Sequence, residues 1–295
     1  MKPLAIVVPT LDEEKHIARC LSSVRGLGDL FVVDSGSTDG TVRAAKAVGA
    51  RIVHQEWLGY AGQKNFALEL LEDDYEWVLL LDADEVVSGD VARNVAKVVQ
   101  TTDNVSGPAA YRIARRNYFL GRELQYCWWY PDYQIRLVRP RLARFEERSV
   151  HEHLVIDGEV STLAGDLHHE NLNGLHAFLA RHNRYSTLEA EEIASSRGRP
   201  LQDLEDLDRR TRARRLLKER IWYRLPARPL IRFLWMYVVR RGFLDGRAGL
   251  IYCCLISFYD AETNFKLYEG AQGRRSALPE RVPGGLEVPS RARPA

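Results

Sequence analysis

Long hydrophobic runs are missing from this chain of 295 residues. The longest uncharged apolar stretch, Ala248 to Tyr259, spans 12 residues, against the ~20 that a helix needs to cross a bilayer. No transmembrane helix is expected. Met1-Lys2-Pro3 reads as leading into a short strand, so no secretory leader is expected. Cysteine is scarce. Cys20, Cys127, Cys253 and Cys254 form no Cys-x-x-Cys, and two of them are adjacent, which suits reduced thiols in a cytoplasm. Charge of one sign is lacking too: the net charge is +2, so the overall balance implies no nucleic-acid partner. No internal repeat or low-complexity block precedes residue 270. The length allows one large domain, or one domain with an appendage.

What is present is organised around Trp77-Val78-Leu79-Leu80-Leu81-Asp82-Ala83-Asp84-Glu85. An apolar run of this kind reads as a buried parallel strand, and it ends in three carboxylates. In extended backbone Asp82 and Asp84 project to the same side, at the strand end where ligands collect in open α/β sheets. Two hard oxygen donors there suit Mg²⁺ or Mn²⁺ shared with substrate phosphates. A solvated strand end, punctuated by Asp in a turn, is the plainer alternative.

The flanking sequence repeats the theme. Leu4 to Thr10 is an expected strand closed by Pro9, followed by a helix from Asp12. Leu30 to Asp34 is a second strand ending in an acid, and Ser35 to Thr41 is a turn into a helix capped by Thr38 or Asp39. A third strand covers Arg51 to His54, and Gly59 opens a helix that runs through Leu71. Strand and helix alternate over the first 100 residues, as in βαβ units with a parallel sheet. From Ala109 to about His169 the pattern is less regular. Ala109 to Arg115 and Tyr133 to Arg139 alternate like half-exposed strands, with an aromatic loop, Tyr126 to Asp132, between them. Beyond Asn171 helices are expected over Leu172 to Ser196, Leu201 to Leu225, Pro229 to Arg241 and Gly246 to Tyr268. The last stretch, Ala271 to Ala295, has four prolines and little that is apolar, and reads as a disordered tail.

Taken in order, Pro9-Thr10-x-x-Glu13, Val32 to Thr41, Gly59-x₅-Asn65 and Asp82-Ala83-Asp84-Glu85 resemble the family 2 glycosyltransferases of GT-A fold. Within that family the chain looks most similar to the lipopolysaccharide core glycosyltransferases of the beta-1,4-glucosyltransferase type. Val33 to Asp39, Trp57-x-Gly59-Tyr60-Ala61-x-Gln63-Lys64-Asn65, Pro131-Asp132-x-Gln134-x-Arg136-Leu137, Val150-His151-Glu152 and Gly242 to Gly246 carry that second resemblance. Ser35 stands where a second Asp is common, and Lys64 where Arg is common; Lys lacks the Arg fork for phosphate. The resemblance implies an α/β GT-A fold with a mostly parallel central sheet flanked by helices and a C-terminal helical extension. It divides the chain into a nucleotide-sugar-binding and catalytic core (1–170), a helical, membrane-proximal region (171–269) and the tail (270–295).

Inverting transfer is the implied reaction, from a nucleoside-diphosphate sugar such as UDP-glucose to a glycan or glycolipid acceptor. Thr10, Glu13, Asp34, Lys64 and Asp82 would bind the nucleotide, and Asp84 with Asp82 would hold the metal. A general base is still needed. Asp132 is the first candidate, because Trp128, Trp129 and Tyr130 around it suit sugar stacking and would raise a carboxyl pKa by desolvation. Glu152 is the second, and His151 could serve as base or metal ligand. His151, Glu152, His153, His168 and His169 also suggest a zinc cluster, but their spacing fits no strong zinc pattern.

Between Arg209 and Arg228 nine residues are basic against one acid, Glu219, with Leu204, Leu207, Leu217, Ile221 and Leu225 at helical spacing. Leu230 to Tyr237 then adds apolar and aromatic side chains edged by Arg232, Arg240 and Arg241. This suits peripheral attachment to an anionic membrane on its cytoplasmic face, though ordinary helices covering a sheet would look similar. Two other functions compete. A sugar-phosphate nucleotidyltransferase would carry a glycine-rich loop where Pro9-Thr10-Leu11-Asp12-Glu13-Glu14 stands, and a non-catalytic sugar-nucleotide or lipid-binding module would release no nucleoside diphosphate.

Overall fold

Alternating burial on both faces builds the sheet. Leu4, Ile6 and Val8 of the first strand join Leu30, Val32, Trp77, Leu79 and Leu81 in one apolar cluster. Ala5 and Val7 join Phe31, Val33, Val78 and Leu80 in another on the opposite face. A period of two with both sets apolar demands cover on each side, and helices supply it. The computed structural model describes residues 1–101, 107–128, 130–146, 154–196, 225 and 227–273.

The strands are β1 (Lys2–Thr10), β2 (Asp29–Asp34), β3 (Arg51–His54), β4 (Tyr75–Leu80), β5 (Glu85–Val87), β6 (Ala110–Phe119), β7 (Arg122–Glu123), β8 (Asp132–Val138), β9 (Ala143–Phe145), β10 (Leu154–Ile156) and β11 (Val160–Glu170). Helices α1 (Ile17–Ser23), α2 (Thr41–Val48), α3 (Tyr60–Glu69) and α4 (Gly89–Gln100) alternate with the first strands. The main sheet has the order β3-β2-β1-β4-β8-β6-β11-β5, with β7 paired to β6. Strands β1, β2, β3 and β4 pair in parallel. Because β8 is antiparallel to both β4 and β6, β6 and its parallel partner β11 point the same way as β4. The central sheet is therefore mostly parallel in direction and flanked by helices, as the family resemblance implied.

Two compact units emerge: residues 1–123 with 129–174, and residues 124–128 with the helices from residue 175 onward. The second unit contains α5 (Gly174–Ser196), α6 (Arg228–Leu234) continuing into a π-turn at Trp235–Val239, a 3₁₀ turn at Gly242–Asp245, and α7 (Gly246–Ala271). Arg228 is fully buried there beside Asp260, which Arg232 also engages. No described helix is long and apolar enough to cross a membrane. The expected helix at Leu201 to Leu225 and the tail from residue 274 lie outside the described residues.

Two local expectations change. The helix expected from Asp12 begins at Ile17, because Asp12 takes a positive φ of 53° and binds a neighbouring loop instead. Glu85 is not part of the strand end. It opens β5, which pairs antiparallel with β11.

Candidate active site

The first three acids gather because their strands are adjacent and in register. Thr10 lies opposite Asp34, and Val7 opposite Leu80, so the segment after β4 emerges at the same edge. Asp34 is 4% exposed. Its carboxylate accepts from the Gly36 and Ser37 amides, both at 3.0 Å, from the Ser37 hydroxyl, and from Thr10 Oγ1 at 3.4 Å. Asp34 thus holds its own loop in shape, a role beyond the nucleotide contact expected of it.

That loop is laced to the one after β1. Asp12 N–H donates to Ser37 Oγ at 2.9 Å, and Thr38 N–H to Asp12 Oδ1 at 2.8 Å. Glu14 N–H donates to Asp39, and Gly40 N–H returns to Glu14 Oε2 at 2.9 Å. Asp39 accepts the Thr41 amide at 2.9 Å just before α2, but the cap position is Gly40, so neither Thr38 nor Asp39 caps the helix as expected. Glu13, expected at the nucleotide, accepts from His16 Nδ1 at 2.6 Å. His16 is fully buried, and its Nε2 accepts the Leu172 amide at 2.8 Å. An amide can only donate, so Nδ1 carries the proton given to Glu13. This pins the β1 loop to the chain just beyond β11.

Asp84 sits beneath that same stretch. Its Oδ2 lies 3.3 Å from His169 Nε2 and accepts from Asn171 Nδ2 at 3.1 Å, while its carbonyl accepts the Glu170 amide. Burial alone would raise this carboxyl, but His169 and the two hydrogen bonds hold it far below the usual range. Burial alone would likewise lower the His169 imidazole, yet Asp84 lifts it above its ordinary value. His169 Nδ1 faces Asn117 Oδ1 at 2.9 Å. With Nδ1 donating there, Nε2–H faces Asp84, and only loss of that proton would free Nε2 to bind a metal.

A divalent cation fits this donor set. Asp84 stays ionised, Asp82 is two residues away, and Nε2 of His169 points at Asp84. Among the described residues no three His, Cys, Asp or Glu side chains form a metal-holding group. His169 was read in the sequence only as part of a zinc alternative; its pairing with Asp84 depends on β11 and could not be seen there.

From Asp82 a chain of alternating charges runs along β8 and β6. Arg136, 5% exposed, binds Asp82 and, at 2.7 Å, the fully buried Glu85. Arg115 bonds Glu85 at 3.3 Å and Asp132 at 2.8 Å. Burial would raise Asp82, but Arg136 and Lys64, the latter 3.8 Å away, bring it down to about 2. Lys64 also lies over the Phe145 ring. Asp132 and Gln134 share one face of β8, as residues two apart do, and Gln134 Nε2 donates to Asp132 at 2.9 Å, while Arg136 stands at a shift in the register with β6.

Asp132 corrects an expectation. Its carboxyl is not raised: burial pushes it up, but Arg115, with hydrogen bonds from Arg115, Asn117 and Gln134, holds it below the ordinary carboxylate value. The spacing of acids could not show this, because the controlling cation comes from β6. Glu152 and His151 lie outside the described residues.

Residues 5–151 match the family model described as Glycosyl transferase family 2. A lipopolysaccharide core biosynthesis glycosyltransferase, LpsC, of Rhizobium meliloti (strain 1021) is 29% identical over 282 residues, covering 90% of this chain and 92% of that protein. An uncharacterized glycosyltransferase of Rickettsia typhi is 28% identical, covering 88% and 84%. Among solved structures, residues 1–349 of S. aureus TarS in complex with UDP-GlcNAc align with 100% of this chain and 98% of that one, at 15% identity and a TM-score of 0.47. With the strand-edge acids in register and the matched segment spanning all of them, residues 5–151 are a glycosyl transferase family 2 domain.

Proposed function

We propose that this protein is an inverting, divalent-metal-dependent glycosyltransferase that moves glucose from UDP-glucose to a saccharide of the lipopolysaccharide core type. One observation carries the reading: Asp84 is held ionised at the strand edge between His169 and Asn171, beside a second ionised acid, Asp82. Likeness to LpsC over nearly its whole length supports the acceptor class.

In this reading Thr10, Glu13, Asp34 and Lys64 line the nucleotide side, and Asp84, Asp82 and His169 would hold Mg²⁺ or Mn²⁺. Bound there, the ion would offset charge developing on the leaving diphosphate, which makes a general acid unnecessary. The acceptor hydroxyl attacks the anomeric carbon as the bond from that carbon to the diphosphate oxygen breaks. Asp132 takes the hydroxyl proton, with Arg115 and Gln134 fixing the carboxylate. Its depressed pKa makes it a weak base that is always ionised near neutrality, so most of the assistance comes late, as the attacking oxygen gains positive charge. Glu152 remains the alternative base. Incubation with UDP-glucose, Mn²⁺ and core oligosaccharide tests the proposal. UDP release that depends on acceptor and is lost in Asp84→Asn supports it. Pyrophosphate release would indicate a nucleotidyltransferase, and nucleotide binding without turnover a binding module.

Attachment to the cytoplasmic face of the membrane accompanies this function. In the helical unit Leu230, Leu234, Val238, Val239, Phe243 and Leu244 are exposed along one short segment, next to Arg240 and Arg241. Apolar side chains with arginines at the edge suit the headgroup layer. The protein is expected to pellet with anionic vesicles at low salt and to stay in solution with neutral ones; no pelleting of folded protein overturns this part.

A further inference from the structure

The motif Gly242-Phe243-Leu244-Asp245-Gly246 takes no part in the chemistry above, yet its acid is 3% exposed. Asp245 accepts three successive backbone amides: Gln125 at 3.1 Å on Oδ1, and Tyr126 and Cys127 at 3.0 and 2.8 Å on Oδ2. Neighbouring N–H groups that converge on one point need an anion, or several acceptors, to be satisfied out of water. Two glycines allow the close fit. A methyl group on Gly242 would stand 2.8 Å from the Cys127 Cβ, and one on Gly249 would collide with the Gly242 carbonyl and the Asp245 Cβ. The next residue is held as well: the Trp128 ring packs on Tyr252 at 5.1 Å, and Arg240 donates to the Trp128 carbonyl at 3.4 Å.

The anchored segment opens the aromatic stretch Tyr126-Cys127-Trp128-Trp129-Tyr130, and the chain reaches Asp132 five residues after Cys127. The geometry points to Asp245 as a positioning residue for the saccharide acceptor. By fixing residues 125–127 it sets where the chain starts toward Asp132, and it touches no reacting atom itself. This role rests on the proposed transferase activity. A loop left to sample several conformations presents its binding arrangement only part of the time, and apparent affinity falls by that fraction. The donor side owes nothing to these bonds, because the residues assigned to the nucleotide and metal lie on β1, β2, α3 and β11 and in the loops after β1 and β4.

Asp245→Asn keeps the shape but removes the charge and one acceptor oxygen. Hydrogen exchange of the Gln125, Tyr126 and Cys127 amides is expected to rise roughly tenfold or more. With UDP-glucose and delipidated core oligosaccharide, KM for the oligosaccharide is expected to rise about tenfold while the affinity for UDP with Mn²⁺ stays within about twofold. Arg240→Met, which removes a bond from a half-exposed side chain and so spares the fold, is expected to raise the same KM by a smaller factor and carries the test if Asp245→Asn does not fold. Unchanged exchange refutes the clamp. Faster exchange with an unchanged acceptor KM, or a parallel loss of UDP affinity, refutes the positioning role. A wild-type protein that transfers to no saccharide brings down the functional reading and the positioning role together, while the exchange result still judges the clamp alone.

Discussion

Replacing Arg136 with methionine tests the charge chain most directly. Arg136 lies between Asp82 and Glu85, and the two acids lose different things. Asp82 keeps Lys64 at 3.8 Å and has a partly exposed side chain, so water can replace the missing partner. Glu85 is fully buried and keeps Arg115 at 3.3 Å and the Asp82 amide at 3.2 Å. Removing one partner of a buried ion pair costs about 3–5 kcal/mol. The remaining Arg115 places Arg136→Met near the lower end, about 3 kcal/mol, or roughly 6–12 °C in Tm. Urea unfolding followed by tryptophan fluorescence measures the loss. The penalty comes from an uncompensated charge, so Arg136→Met combined with Glu85→Gln is expected to lose at least about 2 kcal/mol less than the sum of the single variants. Strictly additive losses, or an Arg136→Met protein within about 0.5 kcal/mol of wild type, would refute the reasoning.

Three further outcomes follow from the site. Arg115 holds Asp132 below the ordinary carboxylate value, so kcat/KM is expected to stay flat from neutrality down to about pH 5. Arg115→Met leaves burial opposed by the Asn117 and Gln134 hydrogen bonds without the guanidinium charge, and moves the acid limb upward; an unmoved limb excludes Asp132 as the base. Since the folded pKa is the depressed one, ionised Asp132 adds stability above its unfolded pKa, and this is lost as pH falls through the folded value. Chelation with EDTA is expected to abolish transfer and Mn²⁺ to restore it in wild type but not in Asp84→Asn; full activity in chelator removes the metal from the scheme. His16→Ala strands the Leu172 amide and opens a cavity, an expected loss of about 2–3 kcal/mol, with an unchanged urea midpoint as the contrary result.

The βαβ half was legible because its strands are apolar on both faces and two of them lead into acids, so a local pattern encodes both their burial and the edge where the acids gather. Asp34, Asp82 and Asp84 were found that way. The arginines were not. Arg115 and Arg136 sit in strands that alternate like surface strands, and their burial arises only because β8 and β6 insert between β4 and β11. Asp132 was picked out by its aromatic neighbours, but the sign of its pKa shift depends on a cation 17 residues upstream on another strand. Asp12 looked like the start of a helix because acids favour first turns; bonds to Ser37 and Thr38 outweighed that small preference.

The order of synthesis gives the pairing of Asp84 with β11 another meaning. Asn171 follows Asp84 by 87 residues, which at 5–20 residues per second separates their emergence from the ribosome by roughly 4–17 s. Throughout that interval the nascent polypeptide has its acidic rim but neither the imidazole nor the amide that completes it. Premature termination before His169 therefore leaves Asp84 without the imidazole and the amide that hold its carboxylate.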